Sequence, residues 1–365
     1  MNHKATYENS IKYDNIKTNV IEYYSDILKQ SSDLKTNACT TCGIPSSTQR
    51  ILLSNVHEEV KSKYYGCGFI APDVLEGMSV LDLGCGSGQD VYVLAQLVGE
   101  SGNVVGVDMT DNQIEVAHKY VDWHRQRFNY QKANTLFLQG FIETLNELAE
   151  LQPNSFDVIV SNCVVNLSPD KEAVMKQVYR LLKSGGEFYF SDVYSSIRVP
   201  APLKAQSVLW GECLSGALYW NDFLRLAKVS GFEDPRLVTS SPVSIQNKEL
   251  EEACKGIDFY SATYRLWKID ELEPDCEDYG QAVIYKGSIA TCPNMFNLDG
   301  HHCFHTNKVS LVCGNTFLML KETRFVDHFT FLGDFSHHFG IFDGCGKSIP
   351  FKSQITNSAC GTGCC

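Results

Sequence analysis

The apolar positions of this chain change their period twice, and the changes divide it. In YENSIKYDNIKTNVIEYYSDIL (7–28), Ile16, Val20, Ile21 and Tyr24 recur at helical spacing among polar residues, which predicts a partly helical lead-in over residues 1–70. That lead-in ends in a Cys- and Pro-containing loop, TNACTTCGIPS. From about residue 78 short apolar runs alternate with amphipathic stretches. VLDLG (80–84), NVVGVD (103–108), TLFLQG, FDVIVSN and GEFYFSDV read as strands. DVYVLAQLVG (90–99), closed by Gly99, reads as a helix, as do DNQIEVAHKYVDWHRQRF (111–128) and residues 170–182. Alternation of this kind predicts a doubly wound α/β domain over residues 71–235, a parallel sheet covered on both faces. Beyond residue 198 the regularity weakens, and APLKAQSVLWGECLSGALYWNDFLRLAKVSGF is expected to be helical. A smaller C-terminal domain over 236–355 carries strand-like pieces, SLVCG and TFLML, and residues 356–365 form a flexible Cys-rich tail.

Composition narrows the function. With 43 acidic against 31 basic residues the net charge is −12, and no cluster of Lys and Arg is present to neutralise a phosphate backbone, so nucleic acid is not an expected partner. No run of about 18 apolar residues argues for a membrane span, and MNHKATYENSIKYDN lacks an apolar signal core; a cytoplasmic protein is the expectation, with monomer the default. The 15 cysteines suit reduced thiols serving a soft ligand better than a secreted disulfide scaffold.

VLDLGCGSGQD carries the strongest fold signal. A strand runs into Gly84, Gly86 and Gly88 and then into a helix, so a nucleotide can approach the backbone closely. Each glycine alone could be a plain tight turn, and G-x-G-x-G alone fits a nicotinamide enzyme equally well. Two acids decide between them: Asp82 precedes the glycines, and Asp108 ends the next strand, where a carboxylate can take both hydroxyls of a ribose. This combination resembles the S-adenosylmethionine-dependent methyltransferases of the Rossmann-like class over residues 75–195. The resemblance implies that Gly84 and Gly86 flank the methionine part, with Asp82 and Gln89 near them. It further implies that Asp108 holds the ribose, that Met109, Ile142 and Glu143 surround the adenine, and that Tyr65, Gly66 and Asn162 complete the cofactor site.

In such sheets ligands sit outside the carboxyl ends of the strands, where SNCVVNL places Cys163. A lone cysteine is usually a small buried hydrophobe. Here others accompany it: Cys67 in YYGCG, Cys213 beside Glu212 in LWGECLSGALYW, and Cys39 and Cys42 in the lead-in loop. Remote thiols on loops of a rigid scaffold can converge on one thiophilic centre, zinc or a trivalent metalloid. LKTNAC, NVHEEVKSKYYGCG, LDLGCGSGQD, GVDMT, SNCVVNL, LKSGGEFYFSDVY, WGECLSGALYW and IQNKELE together resemble the arsenite methyltransferases, over about residues 34–290. That resemblance implies that Cys67, Cys163 and Cys213 bind As(III), that Cys39 rather than Cys42 joins the catalytic cycle, and that Cys254 pairs with the N-terminal thiol. It implies arsenite and methylated trivalent arsenicals as ligands, mono- and dimethylated products, and thioredoxin or glutathione as thiol reductant.

The chemistry is coherent by itself. Thiolates replacing hydroxyls anchor arsenic covalently, the lone pair of three-coordinate As(III) is a nucleophile, and no general base is needed. Two other readings compete: a small-molecule C-methyltransferase in which Cys163 and Cys213 are fillers, and a non-catalytic thiol-rich protein that buffers metal or metalloid. Tyr64, Trp210 and Trp220 read equally as packing. HHCFH (301–305), Cys313, His337, His338 and Cys345 fit no regular zinc spacing. Cys360, Cys364 and Cys365 are expected to be exposed and able to capture metalloid.

Overall fold

The computed structural model describes residues 16–18, 20–21, 47–64, 70–204 and 206–345. Its centre is a sheet of eight strands: β1 (Ser79–Leu83), β2 (Asn103–Asp108), β3 (Thr135–Gln139), β4 (Phe156–Asn162), β5 (Leu182–Ser195), β6 (Leu218–Tyr219), β7 (Arg236–Pro242) and β8 (Phe259–Trp267). They run in the order β3-β2-β1-β4-β5-β8-β7, with β6 beside the end of β5. Strands β1 to β6 pair in parallel, whereas β8 is antiparallel to both β5 and β7. The expected parallel α/β sheet is therefore present, and antiparallel strands extend it. They come from beyond residue 235, so the chain past the expected domain boundary returns to the same sheet before the C-terminal region begins.

Both faces of the sheet are covered, which explains why the central strands carry consecutive apolar residues, such as Val80-Leu81 and Val158-Ile159-Val160, rather than alternating ones. Successive residues of β1 point into different cores. Leu81 and Leu83 join Ile159, Phe188 and the helix Lys171–Leu181 on one side. Val80 joins Val104, Val158 and the helix Gln89–Val98 on the other.

Three local expectations change. Residues 111–128 form two helices, Asp111–Lys119 and Val121–Arg127, because Tyr120 leaves the helical region at φ −108°, ψ 9°. There its ring stacks on His57 at 3.7 Å and its hydroxyl donates to Glu59, tying the lead-in to the sheet domain. Residues 201–232 are not continuously helical: short helices at Ala201–Lys204 and Ser207–Gly211 give way to a turn at Cys213, then β6 and the helix Trp220–Val229. TFLML is helical, within Gly314–Lys321, and not a strand. That helix is buried on all sides, so no polar face marked its period.

The C-terminal region adds β9 (Glu277–Asp278), β10 (Ala282–Tyr285), β11 (Met295–Asn297), β12 (Cys303–His305), β13 (Val309–Leu311), β14 (Phe329–Leu332) and β15 (Gly340–Ile341). They form small sheets around Trp267, Phe296, Phe317, Phe325 and Phe329. A buried ion triad joins this region to the main sheet. Glu187 of β5 meets Arg265 of β8 at 3.1 Å and Arg324 of the C-terminal region at 2.5 Å.

Candidate functional site

A cavity opens at the carboxyl ends of β1, β2 and β4, and the glycine turn after β1 forms its floor. Gly84 stands at φ +72°, and a Cβ there would lie 2.4 Å from a methyl of Val164, so only glycine fits between β1 and the turn after β4. Of the sequence-predicted residues, Asp82, Gly84, Gly86, Asp108, Met109, Ile142, Glu143, Asn162 and Cys163 line this cavity. Gln89 is buried in the first turn of its helix without lining it. Cys39, Tyr65, Gly66 and Cys67 lie outside the described residues, as do Cys42, Cys360, Cys364 and Cys365.

Three carboxyl groups give the cavity its electrostatics. The Asp108 oxygens accept from the backbone N–H groups of Gly86 (2.9 Å) and Thr110 (2.8 Å), which hold the side chain toward the turn. Asp90 accepts from Asn162 Nδ2 (2.9 Å) and from the Tyr64 hydroxyl (3.2 Å). Burial raises the pKa of all three: Asp90 to about 6, Asp108 by direction, and Asp82 well above the carboxylate range, where Asp90 and Asp108 add repulsion. Carboxylates that are buried together favour a cationic ligand. The opposite wall is apolar, with Val20, Phe141 and Ile142, while Lys17 reaches Glu143 at 3.6 Å. Gln113 Oε1, buried on the cavity wall, has no hydrogen-bond partner among the described residues and is ready to accept from an amine or hydroxyl.

Cys163 and Cys213 are fifty residues apart in sequence and meet in space. The Cys213 thiol donates to the Cys163 carbonyl oxygen at 3.2 Å. Both residues adopt left-handed backbone, φ +59° and +60°, a conformation that costs a non-glycine residue on the order of 1 kcal/mol and clusters at functional sites. Gly216 permits the approach: a Cβ there would lie 1.9 Å from the Asn166 carbonyl oxygen. Cys163, Cys213 and Cys254 share one apolar cluster with Val193, Leu209, Leu214 and Phe259. Cys163 is disulfide-bonded, whereas Cys254 is a free thiol. Cys163 lines the cavity and Cys213 lies behind it, so the two thiol positions stand at the end of the carboxylate-lined space.

Sequence reasoning missed a half-buried lysine and a buried aspartate whose charges interact near these thiols. Lys171 donates to the carbonyls of Ser168 (2.8 Å) and Asn166 (3.2 Å), and its ammonium feels the charges of both Asp192 and Cys213. Burial pulls Lys171 down to about 8 and pushes Asp192 up to about 7. A lysine at the N-terminus of an ordinary amphipathic helix gives no sign of this in the sequence. Asp90 was missed for the same reason, since it reads as a plain acid in a first helical turn.

Elsewhere, HHCFH does not close on itself: His302 is tied to Asp299, and Cys303 and His305 are exposed. Among the described residues, no group of three or more His, Cys, Asp or Glu side chains is arranged to hold a metal ion, and no helix is long and apolar enough to cross a membrane.

The chain is similar to known proteins along most of its length. A methyltransferase domain model matches residues 75–231, and an arsenite methyltransferase C-terminal domain model matches residues 279–355. An arsenite methyltransferase of Aquipseudomonas alcaligenes is 56% identical over 95% of this chain and 99% of its own length. The Homo sapiens arsenite methyltransferase is 47% identical over 94% of this chain and 90% of its own. The crystal structure of an arsenic(III) S-adenosylmethionine methyltransferase from Chlamydomonas reinhardtii superposes with a TM-score of 0.79 at 48% identity, covering 82% of this chain and all of that one. Sequence, fold and site together place the chain in the arsenite methyltransferase family.

Proposed function

We propose that this chain transfers methyl groups from S-adenosylmethionine to As(III) held on Cys163 and Cys213, with Cys67 as third sulfur and Cys39 entering the cycle. The observation that carries this reading is the 3.2 Å contact of the Cys213 thiol with the Cys163 carbonyl, at the end of a cavity lined by Asp82, Asp90, Asp108 and Glu143. S-adenosylmethionine, when bound, supplies an electrophilic methyl group on a positively charged sulfur. The residues suit it: Asp82, Asp90 and Asp108 attract positive charge, Asp108 is placed for a ribose, and Gln113 offers a buried acceptor. Met109, Ile142 and Glu143 would border the adenine, and Asn162 fixes Asp90.

On the substrate side, each As–OH exchanges with a cysteine thiol, forming As–S and releasing water. Cys213, fully buried in an apolar cluster, excludes water from the anchored arsenic. The Lys171 ammonium favours the thiolate needed for exchange. Positioning then supplies most of the rate, since well-oriented reactants reach effective molarities of roughly 10⁵–10⁸ M. Arsenic reacts through its lone pair, so no side chain has to remove a proton from it. Because Cys163 is disulfide-bonded, a thiol reductant must act before arsenic can bind, which supports a demand for thioredoxin or glutathione. The same reading has the enzyme working as a monomer in the cytoplasm, where those reductants are found.

The direct test incubates reduced protein with methyl-labelled cofactor and arsenite. Labelled methylated arsenicals are expected, with no label reaching quinone or sterol acceptors; label on those acceptors and none on arsenic would reverse the reading.

Two further results are expected. Cofactor affinity should weaken as pH falls through about 6, because Asp90 then carries a proton that a cationic ligand must displace. The loss approaches about tenfold per pH unit well below that point, with no change above about 7. Calorimetric titration from pH 5 to 8 checks this, and Asp90→Asn should flatten the profile. Lys171→Met should slow arsenite capture about tenfold at pH 7, since the positive charge that interacts with Cys213 and favours its thiolate is removed. Stopped-flow capture by the reduced protein measures this.

A further inference from the structure

Behind the two thiol turns the fold places residues that neither bind the cofactor nor carry a sulfur. After Cys163 the chain enters a 3-10 turn, Val165–Leu167, in which Asn166 stands three residues past the thiol and is buried. The Asn166 N–H donates to Asp192 Oδ2 at 2.9 Å, and its side-chain amide donates to the Val193 carbonyl. Both partners lie on β5, and the other Asp192 oxygen accepts from the Val193 N–H at 2.8 Å, which fixes the carboxylate. The turn that begins at Cys163 is thereby pinned to the strand next to its own. The turn at Cys213 is built separately: the Leu214 and Ser215 N–H groups both donate to the Leu209 carbonyl at 2.9 Å. Gly216, three residues past that thiol, then lies against the Asn166 carbonyl, so closely that an added Cβ would stand 1.9 Å from its oxygen. The same oxygen accepts from Lys171 Nζ at 3.2 Å. The two turns therefore touch at both ends, Cys213 on Cys163 and Gly216 on Asn166. Asn166, Asp192 and Gly216 stand outside the lining of the cofactor cavity.

From this arrangement we infer that Asn166, Asp192 and Gly216 are positioning residues for arsenic capture, a clamp that holds the Cys163 and Cys213 turns together so that both sulfurs reach one arsenic atom. The inference deepens the arsenite reading above and rests on it. Two physical arguments support the clamp. Cys163 and Cys213 both hold left-handed backbone, which persists in a non-glycine residue only where its surroundings enforce it. Asn166 and Gly216 supply that enforcement from the same distance along each turn. Arsenic capture also proceeds stepwise, and once one As–S bond has formed the second exchange is intramolecular. Its advantage depends on the two turns keeping their separation, and a misplacement of about 1 Å can cost about 100-fold. Gly216 is the sensitive point. Carbon and oxygen settle at about 3.3–3.6 Å, so a methyl group there would part the turns by roughly 1 Å.

The test uses reduced full-length protein, unaltered and as Gly216→Ala and Asn166→Ser. Each is loaded with arsenite, and the sulfur atoms around arsenic are counted by X-ray absorption; calorimetry gives the affinity for S-adenosylmethionine. Both variants are expected to bind arsenic through one sulfur fewer than the unaltered chain and to methylate it about 100-fold more slowly. Cofactor affinity should stay within about twofold, because the clamp lies outside the cavity. Asn166→Ser cuts the side-chain tether to Val193 without adding an overlap, so it decides the matter if Gly216→Ala disturbs the fold. Variants that lose thermal stability alone, with as many sulfurs on arsenic as the unaltered chain and methylation within about twofold of it, would overturn the clamp and leave the arsenite reading standing. An unaltered chain that takes up no arsenic on sulfur would remove both.

Discussion

Replacing Cys213 with serine should lower arsenite methylation by at least about 100-fold while leaving the affinity for S-adenosylmethionine within about twofold. Serine is close in size, and at position 213 its hydroxyl can still donate to the Cys163 carbonyl that the thiol now reaches at 3.2 Å. The fold around the left-handed turn is therefore preserved, and the variant loses only a soft ligand. Cys213 does not line the cofactor cavity, so the two binding events separate cleanly. Cys163→Ser should likewise abolish product. Cofactor titration together with product analysis measures the split; serine variants at both positions that retain full methylation would remove the thiol-site mechanism and leave Cys163 and Cys213 as core filler.

Glu187→Gln should produce the largest loss of stability, about 3–5 kcal/mol, because it leaves two buried guanidinium groups without their shared carboxylate. Glu187 is fully buried, and Arg265 and Arg324 are nearly so. The effect reaches beyond the pair, since Arg324 belongs to the C-terminal region and also donates to the Asp73 carbonyl at 2.9 Å, before β1. Loosening this joint is expected to expose the C-terminal core to proteolysis before the sheet domain unfolds. Replacing Glu187, Arg265 and Arg324 together with apolar residues of similar volume should recover most of the loss, because no uncompensated charge then remains. Urea unfolding of the three proteins decides it: a single variant as stable as the unaltered chain would mean the triad contributes nothing.

The strand-turn-helix around Gly84 and the acid at Asp108 were legible in the sequence because their meaning is local. A left-handed turn requires glycine, and a strand of six residues places Asp108 beside that turn through the pairing of β1 with β2. The same holds for the capped helix Lys171–Leu181, where Asp170 accepts from the Ala173 N–H at 2.9 Å. The thiols are a different case. Counting residues says nothing of the distance between positions 163 and 213, and resemblance to a family, rather than spacing, linked them.

The amino-acid sequence by itself determined the alternation of strands and helices, the glycine turn and the acids at the strand ends, since each depends on backbone preferences over a few residues. Tertiary structure alone decided the rest. It brought Cys213 against Cys163, withdrew Lys171 and Asp90 from solvent, Lys171 in part, so that their protons are held differently from those of exposed groups, and returned β7 and β8 to the first sheet. It also turned TFLML into a helix with no exposed face. Burial and contact between remote segments arise from how whole layers pack, and no local pattern encodes them.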